Sequence, residues 1–145
     1  MLRLSKKADY ALIAMKHLAV HDPGVSSARE IAEHYNIPVE LLAKVLQRLV
    51  RRGLLSSQQG TRGGYQLARP PAQISVADVI QAIDGPLTVT ACGAHAKVCG
   101  QFATCNVRDP LWRIRERIVE ALATCSLLEM AAESAAQAPA HLEAR

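Results

Sequence analysis

Two helical patterns separated by a three-residue turn constrain the fold of this chain more than any other feature of its sequence. Ser27 and Glu30 stand at the spacing of a capping box, which predicts a short helix that ends near Tyr35. Asn36-Ile37-Pro38 then predicts a turn before a longer helix over residues 39–52. That helix has one apolar face at helical spacing: Leu42, Val45, Leu46 and Leu49. Two helices joined by such a turn form a helix-turn-helix.

The segments on either side complete a winged helix. Residues 5–20 have apolar side chains at helical spacing and predict a first helix. Two short strands flank a Gly-rich tip and predict a β-hairpin wing: Leu54-Leu55-Ser56-Ser57, Gly64-Tyr65-Gln66-Leu67 and the tip at 58–63. A further helix is predicted from Val76 to Ile83. The predicted fold class is mainly α with a small β-hairpin wing, and a winged helix-turn-helix domain is expected over residues 1–86.

The remaining chain divides into a loop, a long helix and a tail. Residues 87–107 have neither helical nor strand periodicity and predict a loop. Pro110, at a first helical position, predicts the start of an amphipathic helix over about 110–123. A short helix follows, so that residues 108–132 contain both. The Ala-rich tail over 133–145 is predicted to be disordered.

Charge is distributed unevenly along the chain. Residues 1–69 contain eleven Lys and Arg against five Asp and Glu, whereas residues 70–145 contain six against eight. A basic amino-terminal part predicts a partner that is a polyanion. The five aromatic residues are scattered along the sequence. Because single-strand binders stack bases on aromatic platforms, this pattern favours double-stranded DNA.

The outward face of the helix over 39–52 supplies the candidate DNA-reading residues. Recognition helices contact base edges mainly from their amino-terminal half, and later residues meet phosphates. The residues assigned to bases are Glu40, Ala43, Lys44 and Gln47; those assigned to phosphates are Arg48, Arg51 and Arg52. Arg62 at the wing tip is placed to enter a narrow minor groove. Ser27 and Arg29 are placed to donate to a phosphate at the preceding helix start. The alternative is a solvated basic helix with no partner.

Three cysteines in the loop over 87–107 form a candidate metal site. Cys92, Cys99 and Cys105 follow the spacing C-x6-C-x5-C, unlike the tight pairs of zinc fingers or the closely spaced run of bacterial ferredoxins. Wider spacing suits an iron–sulfur cluster better than a single ion, and soft thiolates favour iron–sulfur or zinc. Three thiolates leave one ligand missing. The alternatives are a Cys3His zinc site with His95, or a reversible disulfide with one spare thiol.

Other classes of protein are disfavoured by what the sequence lacks. The amino terminus has no signal-peptide pattern, and no apolar run approaches the length of a membrane span, so a cytoplasmic protein without membrane contact is predicted. No C-x-x-C pair or catalytic triad is recognisable. The chain is therefore predicted not to be an enzyme.

An ordered set of motifs resembles one family over roughly residues 1–132. The motifs are M-L-R-L-S-K-K-A-D-Y-A-L, I-A-E-H-Y-N-I-P, G-T-R-G-G-Y-Q-L-A-R, V-A-D-V-I-Q-A-I-D-G, the three cysteines, and D-P-L-W. Together they resemble the IscR/NsrR-type Rrf2 family of dimeric winged-helix regulators.

The resemblance implies a homodimer in which the helix over about 110–123 packs on its partner. It also implies a 4Fe–4S or 2Fe–2S cluster on the three cysteines. The resemblance to IscR-like members implies a histidine ligand at the position that Arg108 occupies in this chain. A guanidinium cannot replace an imidazole as an iron ligand. The resemblance to NsrR-like members implies that the fourth ligand is an aspartate in the first helix of the partner subunit, and Asp9 stands at the matching position. Ala43 stands where IscR-like members have a glutamate that selects DNA sites, so their operator preference is not transferred.

The function predicted from these observations is a dimeric transcriptional regulator of a pseudo-palindromic operator. Its affinity for DNA would be controlled by the iron–sulfur cluster, and its targets would be cluster-assembly genes. One alternative is a nitric-oxide or redox-sensing repressor of the same family. Another is a zinc-stabilised DNA-binding protein without a sensing role.

Overall fold

The computed structural model describes residues 3–88 and 100–133. Within these ranges the elements follow the chain as α1 (Lys6–Val20), α2 (Ala28–Tyr35), α3 (Val39–Arg51), β1 (Leu55–Gln58), β2 (Gly64–Leu67), α4 (Val76–Asp84), α5 (Arg108–Thr124) and α6 (Leu127–Glu133). A single 3-10 turn, Pro71–Gln73, connects β2 to α4. This mostly helical architecture with a two-stranded antiparallel hairpin confirms the predicted fold class.

The core is built around α1. Its buried face consists largely of small side chains, which allow α3, α4 and α6 to pack closely on it: Ala8, Ala11, Ala14, Met15 and Leu18. The apolar face of α3 packs into the same core, with Leu42, Leu46 and Leu49 fully buried. Each of these leucines contributes roughly 1.5–3 kcal/mol by leaving water. The predicted orientation of α3 is therefore confirmed.

Side-chain caps set where most helices begin. The Ser27 hydroxyl accepts from the Glu30 N–H, and the Glu30 carboxylate accepts from the Ser27 N–H, as the capping box predicts. Ser75 and Asp78 form the same reciprocal pair at the start of α4. The predicted helix bounds hold to within one residue for α3 and α4.

The wing is attached to the start of α2 by a short backbone bridge. Strands β1 and β2 pair from Leu55 with Leu67 to Gln58 with Gly64. The Ser26 N–H donates to the Tyr65 carbonyl at 3.0 Å, and the Tyr65 N–H donates to the Ser26 carbonyl at 2.8 Å. Glycine is required at position 64, because a Cβ there would lie 2.5 Å from the Ser26 carbonyl oxygen.

The long helix begins earlier than its sequence predicts. It starts at Arg108, so that Pro110 lies in the first turn instead of opening the helix. The error has a simple cause: first-turn N–H groups lack intrahelical acceptors, so proline is tolerated at each of these positions. No residue of α5 is buried within its own chain, and Trp112 and Ile114 are 46% and 45% exposed.

The last helix anchors the end of the described chain to the core. Leu127 is fully buried, and its N–H donates to the Ile74 carbonyl at 2.9 Å. None of the described helices is both long and apolar enough to cross a membrane. The predicted disordered tail lies outside the described residues apart from Glu133, and the loop over 87–107 is described only at its two ends.

Replacement of Gly64 by alanine tests the attachment of the wing. The added Cβ must displace the Ser26 backbone, so Gly64→Ala is expected to lower the free energy of unfolding by about 1–3 kcal/mol. Urea denaturation measures the change. Gly100→Ala is the matched control, because no atom of the described residues lies within 4 Å of a Cβ at that position. Equal stability of the two variants would contradict the close packing of the wing on α2.

Candidate nucleic-acid interface and cysteine segment

The outward face of α3 is solvent-exposed as the sequence predicts. Glu40, Lys44, Gln47 and Arg51 are exposed, and Ala43 is half-buried between them. Because the leucine face on the other side is fixed in the core, these side chains cannot rotate inward without loss of that burial.

A groove of about 660 Å³ runs along this face and concentrates positive charge. Its walls carry four cations and one carboxylate: Lys7, Lys44, Arg48, Arg51 and Glu40. Its apolar lining includes Leu41, Val45 and Ile83. Lys7 comes from α1, and sequence reasoning missed it because only the packing of α1 against α3 brings it to the groove. A cleft in which four cations face a single carboxylate attracts a polyanion.

Gln47 connects this face to the wing. Its amide Nε2 donates to the Tyr65 hydroxyl at 3.4 Å, which links α3 to β2. Arg62 is exposed in the hairpin turn, which the Gly63 N–H closes by donating to the Gly60 carbonyl at 3.0 Å. The wing therefore carries its cation on a short hydrogen-bonded turn, and the Gln47–Tyr65 bond links this wing to α3.

The start of α2 offers one cation and one polar side chain. Arg29 is exposed in the first turn. The Ser27 N–H is already used by the Glu30 carboxylate at 3.3 Å, so only the Ser27 side chain is left to meet a phosphate.

Arg48 differs from its neighbours on α3. Its Nε donates to the Ala82 carbonyl at the end of α4 over 3.0 Å, in a partly buried contact. The sequence shows only an outward-facing cation, because the acceptor is a backbone atom 34 residues away.

One of the three candidate cysteine ligands lies within the described residues. Cys105 is half-buried and carries a free thiol just before α5. Cys92, Cys99 and the alternative ligand His95 lie outside the described residues. Over 3–88 and 100–133, no three His, Cys, Asp or Glu side chains lie close enough to share a metal ion. Asp9 is half-buried in the first turn of α1.

Arg108, at the start of α5, contacts residues near Cys105. Its Nη1 donates to the Phe102 carbonyl at 2.8 Å, and its guanidinium lies over the Phe102 ring at 4.3 Å from the centroid. Its Nε pairs with the Asp109 carboxylate at 3.0 Å. Arg108 thus ties Phe102, three residues before Cys105, to the start of α5.

Three histidines and one tyrosine cluster where α1 meets α2, and the sequence did not predict this cluster. The His17 Nδ1 lies 2.9 Å from the Tyr35 hydroxyl, and the His17 ring centroid lies 4.3 Å from that of His21 and 5.8 Å from that of His34. The one-turn spacing of His17 and His21 is visible in the sequence, but the approach of α2 is not. Burial, followed by the nearby imidazoles of His21 and His34, holds the pKa of His17 below its usual value, against the opposing effect of Glu30.

Comparison with known proteins places this geometry in one family. The profile of the Rrf2 family, described as an iron-dependent transcriptional regulator, matches residues 4–133. The HTH-type transcriptional regulator IscR of Xenorhabdus nematophila is 36% identical over 131 residues, which cover 89% of this chain and 79% of the relative. The chain spans about half the length of two Mycobacterium tuberculosis proteins with HTH-type regulator names, at 44% identity over 87 residues.

Solved structures show the same fold. CymR, the global cysteine regulator of B. subtilis, has a TM-score of 0.78 at 29% identity, with 92% of this chain and 99% of that chain covered. IscR of T. potens has a TM-score of 0.73 at 29% identity, with 98% and 96% covered. The matched family and these relatives are transcriptional regulators, in agreement with the prediction that the chain is not an enzyme.

The histidine cluster predicts an acid-sensitive seam between α1 and α2. Because the folded pKa of His17 lies below its unfolded value of about 6.5, the unfolded state takes up a proton first as the pH falls. The contribution of neutral His17 is therefore present above about pH 6.5 and lost below it. His17→Gln keeps a polar partner for Tyr35 without titration, so its melting temperature should fall less than that of the parent between about pH 7.5 and 5.

Thermal melts across this pH range measure the difference. His141→Gln is the control, because it removes a histidine that is more than 100 residues from His17, His21 and His34 in the sequence. An identical acid-induced fall in the parent and in His17→Gln would exclude a contribution from His17.

Proposed function

This chain belongs to the Rrf2 family of transcriptional regulators, and from that premise we propose that it is a dimeric DNA-binding regulator whose operator affinity is controlled by an iron–sulfur cluster. The single observation that carries the DNA-binding part of the proposal is the cationic groove along the exposed face of α3. Rrf2 regulators bind DNA and act as dimers, which is the behaviour that such a groove and the exposed helix α5 support.

The proposed DNA complex places the amino-terminal half of α3 in the major groove. The base-reading residues are Glu40, Ala43, Lys44 and Gln47, and those that meet phosphates are Ser27, Arg29, Arg51 and Arg52. Arg62 on the wing reaches the adjacent minor groove, where a narrow groove favours a guanidinium. The exposure of these cations and their separation over α2, α3 and the wing support contacts with one face of a duplex.

The proposed homodimer forms through α5. This 17-residue helix has no fully buried residue in its own chain, although it carries a row of apolar side chains: Leu111, Ile114, Ile118, Val119 and Leu122. Half-buried or exposed apolar residues at helical spacing gain burial when a second copy of the helix packs on them. Two basic heads held by one α5 pair would engage the half-sites of a pseudo-palindromic operator.

The proposed cofactor site uses the thiolates of Cys92, Cys99 and Cys105, with Asp9 of the partner as an oxygen ligand. The free thiol of Cys105 and the chemistry of a three-thiolate set fit an iron–sulfur cluster. When bound, the cluster would supply a reversible signal, because it is assembled or lost as the iron supply and the redox conditions change. The chain's own role is to hold the Cys105 segment against α5, which Arg108 does through Phe102. Arg108 provides no ligand in this arrangement.

Cluster-assembly genes are the proposed targets, supported by the similarity to IscR. The similarity to CymR, a cysteine regulator, favours a second candidate in which the loop cysteines respond to thiol chemistry without a cluster. A nitric-oxide or redox-sensing repressor and a zinc-stabilised DNA-binding protein are further alternatives. All are cytoplasmic roles.

Substitutions on α3 test the base and phosphate assignments. A duplex selected from a random library by the parent protein serves as the specific probe, and an unselected duplex as the nonspecific one. Lys44→Ala should weaken the selected duplex about tenfold or more and leave the unselected one nearly unchanged. Arg51→Ala should weaken both alike and reduce the slope of log K against log salt by about one unit for each subunit.

Fluorescence anisotropy at several salt concentrations gives both quantities. Equal losses on the two duplexes from Lys44→Ala would remove this residue from base reading.

Anaerobic purification tests the cofactor. The parent protein should be brown, with visible absorbance, iron and acid-labile sulfide, and its selected duplex should bind with different affinity before and after the cluster is removed. Cys92→Ala, Cys99→Ala and Cys105→Ala should each lose the colour. Cys125→Ala is the matched control, because Cys125 lies at the far end of α5, with its carbonyl bonded to the Val76 N–H.

Retention of colour in all three loop variants would overturn the ligand assignment. Colourless parent protein with stoichiometric zinc would favour the zinc-stabilised alternative. Equal affinities of the reconstituted and stripped forms for the duplex would refute control by the cluster.

A further inference from the structure

Arg48 occupies a position on α3 that sequence reasoning gives to phosphate contact, but its bonding is different. The Arg48 Nε donates to the Ala82 carbonyl, one of the last carbonyl groups of α4. Carbonyls in the last turn of a helix lack intrahelical donors and carry partial negative charge. A guanidinium therefore satisfies both the missing hydrogen bond and the local charge. This contact crosses from the reading helix to α4.

The end of α4 is also where two other elements are attached. Ser5, which caps α1, donates its N–H to the Asp84 carboxylate at 3.1 Å, and its hydroxyl donates to the other Asp84 oxygen. The Arg115 Nε of α5 donates to the Leu87 carbonyl at 2.6 Å. Residues 82–87, called here the α4 terminus, thus receive bonds from α1, α3 and α5.

The bond from α3 to the α4 terminus is made by Arg48. Ala82 is buried and packs with the core, so its carbonyl is a fixed point for the guanidinium. Arg115 lies in the helix that the proposed dimer uses as its interface. The path from α3 to α5 consequently contains two arginine–carbonyl bonds, and the four residues 83–86 separate their acceptors, Ala82 and Leu87.

We propose that Arg48 is a positioning residue, which sets the tilt of α3 relative to the α4 terminus and α5, and that it does not act as a phosphate ligand. The proposal rests on the proposed function, since the tilt matters when two heads read one duplex. In the dimer, the angle of each α3 to its α5 determines the distance between the two reading helices. Arg48 therefore contributes to the preference for half-site spacing.

Two substitutions separate positioning from phosphate contact. Glutamine places its amide Nε2 at the same number of bonds from Cα as the Arg Nε, so Arg48→Gln keeps a donor for the Ala82 carbonyl and removes the charge. Arg48→Ala removes both. Arg51→Ala is the matched control for a phosphate contact one turn further along the same helix.

The measurements use the full chain, the selected duplex and the same duplex with one base pair inserted at its centre. Arg48→Ala should bind the selected duplex roughly tenfold more weakly, with an unchanged salt slope. Its discrimination between the two duplexes should also fall. Arg48→Gln should retain parent affinity, slope and discrimination to within about twofold. A general loss of folding would not reproduce this combination, and thermal melts of both variants check it.

The proposal is overturned if both Arg48 variants reduce the salt slope by about one unit for each subunit, as expected of Arg51→Ala. It is also overturned if neither variant changes affinity or spacing discrimination. If the parent itself selects no duplex, or binds as a monomer, the proposed function fails. A parent that discriminates normally, with Arg48 variants that match it, refutes the positioning role alone.

Discussion

Burial of the leucine face of α3 against the small-residue face of α1 is the constraint on which the rest of the structure depends. Alanines at positions 8, 11 and 14 leave room for Leu42, Leu46 and Leu49, which are excluded from water. A rotation of α3 would expose several of these leucines at once, at a cost of several kcal/mol. The outward face is therefore fixed by the inward one. The cationic groove follows from this packing, because α1 brings Lys7 to the side of α3.

Unpaired backbone groups at helix ends determine how the helices are joined. The last carbonyls of α4 need donors, and an arginine of α3 supplies one of them; an arginine of α5 supplies another donor to the backbone just beyond α4. At the start of α1 the backbone group that needs a partner is a donor, and the Ser5 N–H donates to the Asp84 carboxylate. The helix caps and the bonds between helices thus meet the same need, which is a hydrogen-bond partner for each backbone N–H or carbonyl at a helix end. Because each bond is directional, it adds an orientational constraint between helices to the burial of the apolar core.

Local signals in the sequence predicted most of the fold, and tertiary packing decided what they missed. The capping boxes at Ser27 and Ser75 and the leucine spacing of α3 each involve residues within a few positions, so they were readable and correct. The start of α5 was wrong because Pro110 satisfies the rules at any first-turn position. The histidine cluster, Lys7 in the groove and the acceptor of Arg48 depend on residues far apart in sequence. Of the cysteine site, only Cys105 lies within the described residues.

For the cysteine-containing loop over 87–107 to control DNA binding in the proposed regulator, it must change the angle between α3, which would read the DNA, and α5, which would form the dimer. The segment joins the α4 terminus to the start of α5, and each end has its own arginine–carbonyl bond: Arg115 to Leu87 and Arg108 to Phe102. A ligand changes affinity only by the difference between its contacts in two forms of the protein. In the proposed regulator, ligation at Cys105 would pull on a chain already tied to α5 by Arg108. A guanidinium is no iron ligand, so Arg108 acts here through its bonds to Phe102 and Asp109. In the proposed regulator the fourth ligand would therefore come from another residue, and Asp9 of the partner is the one proposed.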